Sequence, residues 1–168
     1  MTKGKEKMIE LLKILISSGV IIFFYTEIKK CLYKRTKHDL KIYRKFNAIL
    51  NDNQIVTIIK DTQEGYLPEH TYGRVDTLVE FIQLPKNKFL DKKINKLLSD
   101  LIYDLHQIAQ LYSMCGRCEL IGNKYKLVAH KDGNPEEFEL INNSTRYSKE
   151  LLNSYRVFRL KIKKKFKL

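Results

Sequence analysis

The chain reads as an α+β protein with three parts: an N-terminal single transmembrane helix, a helical middle built on one long amphipathic helix, and a small C-terminal antiparallel β-sheet. Three observations lead there. Residues 14–26 carry no charge, and Lys29, Lys30, Lys34, Arg35, Lys37, Lys41, Arg44 and Lys45 follow closely. Leu90, Ile94, Leu97, Leu101, Leu105, Ile108 and Tyr112 then recur near helical spacing. Beyond Cys118, apolar and polar residues alternate with the period of a strand.

An apolar segment followed by a lysine and arginine collar is the pattern of a membrane anchor whose C-terminal flank faces the cytoplasm. The uncharged run is thirteen residues long, short of the ~20 that span a bilayer. Widening it to 8–28 gives twenty-one residues but takes in Glu10, Lys13 and Glu27 near the two ends. There the Lys13 ammonium can snorkel to the interface. Ser17, Ser18 and Gly19 form a small-residue patch suited to close helix–helix contact. A buried core helix is the competing reading of the same residues. The expected organisation is an anchor and basic juxtamembrane segment over 1–35 and a cytoplasmic α+β domain over 36–168. The expected location is the cell membrane, crossed once.

Thr36 with Asp39 resembles a capping box, so a second helix is expected from Thr36 to about Asn51, where Asn51-Asp52-Asn53 breaks it. Residues 55–59 are β-branched and fit either a strand or a short helix. Residues 61–73 read as a loop. Val75, Leu78, Val79 and Ile82 make a short helix ended before Pro85. The long helix is expected from about Lys88 to Ser113. A hairpin follows, Glu119–Ile121 and Lys124–His130 about Gly122-Asn123. Residues 131–135 form a second turn, and Glu136–Ile141 a third strand whose Glu137 or Glu139 pairs across the sheet with Lys126. A short helix capped by Thr145 or Ser148 runs through Ser154. The tail reads as a strand after about Arg156.

Net charge is +13, unevenly spread: +8 over residues 1–45, −2 over 46–150 and +7 over 151–168. Two basic ends on a near-neutral body suit an anionic surface. As a strand, the tail puts Arg159, Lys161, Lys163, Lys165 and Lys167 on one face, opposite Phe158, Leu160, Ile162, Phe166 and Leu168. Five cations in a row would hold phosphates of lipid headgroups, RNA or a nucleotide, with Tyr125, Tyr147 and Tyr155 available to stack on bases. A solvated edge strand whose lysines block aggregation is the plainer alternative.

Cys115 and Cys118 have the spacing of a metal knuckle, and His106 and His130 are the candidate remaining ligands of a zinc site. The order His, Cys, Cys, His is not that of a standard finger, and a redox dithiol or two ordinary cysteines fit as well. Glu64, Glu69 and His70 share the longest expected loop and carry acid–base groups in no recognisable spacing. A Gly-rich phosphate loop, a nucleophile elbow, a zinc-protease pair and an EF-hand loop are all missing from the sequence. Nothing argues positively for catalysis.

Three functions compete. The first is a membrane-tethered binding or adaptor protein that recognises an anionic ligand or a protein partner. The second is a membrane effector of a small prokaryotic defence system, activated by a nucleotide or protein signal and acting as a homo-oligomer. The third is a soluble basic RNA-binding protein with 14–26 in its core. The partners expected across the three are membrane lipids, a nucleotide or RNA phosphate, a partner protein and a second copy.

Overall fold

Helix dominates the computed structural model, which describes residues 3–114, 118–128 and 135–168. The elements are α1 (Lys3–Ile49), α2 (Asp52–Gln63), β1 (Tyr66–Pro68), α3 (Thr71–Gln83), α4 (Lys92–Met114), β2 (Cys118–Ile121), β3 (Lys124–Leu127) and α5 (Pro135–Phe166). A 3₁₀ turn at Pro85–Asn87 joins α3 to α4. The chain divides into two units, Met1–His38 and Asp39–Leu168.

The first unit is the N-terminal part of α1. The expected helix start at Thr36 is not there: the Thr36 hydroxyl donates back to the Leu32 carbonyl at 2.9 Å, as Thr26 does to Ile22 at 2.8 Å, and the helix runs on. Val20, Ile21, Ile22, Phe23, Phe24 and Tyr25 are all exposed. Among the described residues, no helix is long and apolar enough to cross a membrane. That finding overturns the transmembrane helix and, with it, the single-pass location with a cytoplasmic domain. The physical reason is length: thirteen uncharged residues rise only ~20 Å as a helix, against a hydrocarbon core of ~30 Å.

The second unit builds its core from one face of each helix. Ile42, Tyr43 and Phe46 of α1 and Leu50 just after it share a core with Phe158 and Ile162 of α5, and the Phe46 and Phe158 rings cross edge to face with centroids 5.5 Å apart. From α4 come Ile94, Leu98, Leu101, Ile102, Leu105, Ile108, Ala109 and Tyr112. This stripe is wider than the expected one because α4 packs against both α3 and α5. Leu90, expected in the stripe, is exposed.

Asn51 is a helix start as well as a break. Its side chain accepts from the Gln54 amide while the Gln54 side chain accepts from the Asn51 amide, both at 3.0 Å. This capping box settles 55–59 as helix, with Ile55, Ile58 and Ile59 buried.

The architecture differs from the expected α+β layout in the placing of strands. The sheet has order β1-β3-β2, all antiparallel. The hairpin is found, and Gly122 at φ 63° supplies the first central residue of its two-residue turn. Its third strand is Tyr66–Pro68, from the stretch expected to be a loop, with Leu67 fully buried. Residues 136–141 belong to α5, so Lys126 stands opposite Glu119 instead of Glu137 or Glu139. The tail is the end of the same helix. Leu151, Phe158 and Ile162 are its buried apolar positions among the described side chains, spaced by multiples of about one turn.

Replacing Phe46 with alanine empties the centre of the α1–α5 contact. The expected cost is about 3–5 kcal/mol for a buried Phe→Ala change, read as a lower urea midpoint. Phe24→Ala, at a 60% exposed position, is expected to move the midpoint little.

Candidate anion-binding surface

Three segments of the second unit meet at one end: the stretch of α1 from Asp39, the N-terminus of α4 and the C-terminus of α5. Asp39 holds them together. Its side chain is fully buried. It accepts from the Leu90 amide at 2.7 Å, the Asp91 amide at 3.3 Å and the Lys165 ammonium at 2.7 Å. Lys165 also donates to Asp91 at 3.0 Å. Asp91 in turn caps α4, accepting from the amides of Lys93 at 3.0 Å and Ile94 at 3.3 Å.

These bonds set two ionisations. Burial disfavours the charged form of Asp91, but the Lys165 ammonium and the two amides outweigh it and hold the carboxyl below its ordinary value. Burial likewise works against the Lys165 charge, and Asp39 and Asp91 overcome it, holding the ammonium above its ordinary value.

Lys165 engages both carboxylates at this end, and the sequence supplies no others. Apart from Asp39 and Asp91, residues 39–50, 84–99 and 157–168 contain no acidic side chain. They contain fourteen lysines and arginines. Lys41, Arg44, Lys92, Lys93, Lys96, Lys163, Lys164 and Lys167 are exposed. Lys165 at Asp91 brings the α4 and α5 groups together, and Lys165 at Asp39 adds those of α1.

The helix redistributes the five residues expected on one strand face. Arg159 is a structural residue: one guanidinium nitrogen lies 2.6 Å from Asp52 and another donates to the Tyr43 phenol oxygen at 2.7 Å. Tyr155 shares that cluster, and burial followed by the Asp52 charge pushes its phenol up to about 12. Lys165 is structural too. Lys161 is half-buried, while Lys163 and Lys167 are exposed. Lys164, the exception to the strand alternation, joins them, because 160, 163, 164 and 167 share one helix face. The spacing i, i+3, i+4, i+7 was the signal for it. Lys92, Lys93 and Lys96 read in sequence as a basic patch on the wet face at the start of the long helix; only the tertiary contact brings them beside the tail.

The remaining sequence candidates are dispersed. Tyr125 packs edge to face on Tyr72, and Tyr147 carries the Arg146 guanidinium over its ring. Glu64, Glu69 and His70 are exposed at element ends. Of the zinc candidates, Cys115 and His130 lie outside the described residues. Cys118 begins β2, and His106 sits half-buried on α4. Among the described residues, no three His, Cys, Asp or Glu side chains converge as a metal would require. No family model, curated protein or solved structure matches this sequence.

Lys165→Met is expected to cost about 3 kcal/mol by leaving the Asp39 carboxylate buried without its cation, whereas Lys163→Met should stay within about 0.5 kcal/mol. Chemical denaturation distinguishes the two. The pH dependence has two limbs. Asp91 titrates below its ordinary 3.8 in the fold, so its contribution is complete above that pH and lost as pH falls through the folded value. Lys165 titrates above its ordinary 10.5, so its contribution is complete below that pH and lost as pH rises through the folded value. Subtracting the Lys165→Met stability profile from the wild-type profile should leave a plateau falling at both edges.

Proposed function

We propose that this chain is a non-enzymatic binding module that holds a polynucleotide by its phosphate backbone at the basic end of the second unit. One observation carries the reading. Three segments distant in sequence converge to present exposed cations, while the two acidic residues there are engaged by Lys165. Excess charge of one sign on an outward surface is what phosphate contacts require.

The form of the surface favours a long polyanion over a single nucleotide. Lys163 and Lys164 occupy the last turn of α5 with Lys167 directly after it, and Lys92, Lys93 and Lys96 the first turns of α4. They line successive turns of two neighbouring helices, an arrangement that tracks a chain of phosphates. The tyrosines expected to stack on bases are committed elsewhere, Tyr155 to Asp52 and Tyr125 to Tyr72. Contacts of this kind position a backbone without reading its sequence. The reading keeps the anion recognition of the adaptor hypothesis and gives up its tether.

Fluorescence anisotropy with a labelled single-stranded RNA tests it. Log affinity against log salt should fall with a slope of about −4, as for roughly six phosphate contacts at about 0.7 each on a single strand, and sequence should matter little. The triple change Lys163→Glu, Lys164→Glu, Lys167→Glu should weaken binding at least about tenfold and flatten the slope by about two. Lys60→Glu, on the exposed side of α2, should do neither. Salt-independent binding, or a triple variant that binds as the wild type does, would refute the proposal.

A further inference from the structure

A second feature of the molecule carries charge of the opposite sign. Between α4 and α5 lies an open groove of about 350 Å³, lined by Leu97 and Val157 and bordered by Asp100 and Asp104 on α4 and Glu150 on α5. Val157 is 43% exposed. Burial, then the neighbouring Glu150 and Asp100 charges, raise the Asp104 carboxyl above its ordinary value despite a hydrogen bond with Ser154. The groove therefore combines apolar surface with carboxylates that repel one another.

The first unit offers the complement. Between Glu27 and Lys37, α1 is an amphipathic helix with Ile28 and Leu32 each 57% exposed. These two lie about 40° apart around the helix, on one stripe. Lys29 stands about 60° beyond Leu32 on one side of the stripe, and the exposed Arg35 about 20° beyond Ile28 on the other. Glu27, the acidic residue of this stretch, is paired with Lys30 at 2.8 Å and neighbours Lys34, about 100° from Ile28.

We propose that the Ile28–Leu32 stripe of a second copy of this chain docks in the α4–α5 groove, with Lys29 and Arg35 reaching the carboxylates on its two sides. Ile28 and Leu32 lie over Leu97 and Val157, removing apolar surface from water on both partners. The cations relieve the repulsion among Asp100, Asp104 and Glu150. Pairing α1 against α1 in parallel would bury the same apolar residues, but it would bring Lys29, Lys30, Lys34, Arg35 and Lys37 of two copies together. Charge therefore selects the groove. This inference is independent of the phosphate-backbone reading, because it uses Asp100, Asp104 and Glu150 and none of that surface's lysines.

Two charge-reversed full-length variants test it by sedimentation velocity. One carries Asp100→Lys with Glu150→Lys; the other carries Lys29→Glu with Arg35→Glu. The wild type should associate in a concentration-dependent way. Each variant alone should associate at least about tenfold more weakly, because its helix and groove then have the same sign. An equimolar mixture should recover association, since each helix finds a groove of opposite sign on the other variant. That recovery also shows that both variants fold. A wild type that stays monomeric at all concentrations, variants that associate as the wild type does, or a mixture that fails to recover would each overturn the proposal.

Discussion

The buried carboxylate of Asp39 is the constraint on which the second unit is organised. A carboxylate taken fully out of water is costly unless its lone pairs are satisfied and its charge is opposed. Here the amides of Leu90 and Asp91 and the Lys165 ammonium meet that demand. The partners come from two stretches of chain remote from Asp39, so satisfying one side chain fixes where the chain enters α4 and where α5 ends. Apolar packing alone tolerates sliding of one helix along another. The directional bonds at Asp39 give the α1–α5 contact a defined register, with Phe46 against Phe158 and Tyr43 stacked on Phe166.

The same arrangement generates the surface charge. Had Asp39 and Asp91 faced solvent, they would have offset neighbouring lysines and left a mixed surface. Drawn inward onto Lys165, they neutralise that residue instead. A second tail cation, Arg159, is likewise directed inward to Asp52 and Tyr43. Stability thus takes two of the five tail cations first considered for binding. The ones left at the surface are those whose helix positions point away from the core.

What the sequence shows clearly is whatever rests on local chemistry. The long helix, the Gly122-Asn123 hairpin and the stop at Asn51 follow from periodicity, turn geometry and capping, and each is found. The tail misleads for a definable reason. Its lysines happen to fall on alternate positions, and a strand and a helix share several apolar spacings over so short a stretch. Leu151, Phe158 and Ile162 decide between them, because a buried helix face has to extend back through the preceding turns, as theirs does. Thr36 misleads in the opposite sense. A threonine caps a helix only where free amides await it; inside a continuing helix its hydroxyl turns back to a carbonyl instead. The basic end was legible in composition but not in place, since the Asp39 contacts that assemble it join residues some fifty and more than a hundred positions apart.

The two units meet the problem of apolar surface in different ways. In the second, each helix turns an apolar face inward on a shared core. The first is a helix whose apolar residues lie on all sides, with a clean polar face only where the lysines begin. A helix of that kind gains nothing from water, and helix propensity alone is a weak support for it. Its stability therefore depends on a surface that takes up the stripe while tolerating the cations beside it. Such a surface needs apolar groups flanked by carboxylates at a helix–helix seam. The seam between α4 and α5 has that composition, with Leu97 and Val157 between Asp100, Asp104 and Glu150. Charge is the discriminating property in both units. One cluster of lysines is left facing outward because its acids are engaged within the fold, and one cluster of acids is left crowded at a groove that accepts cations from outside.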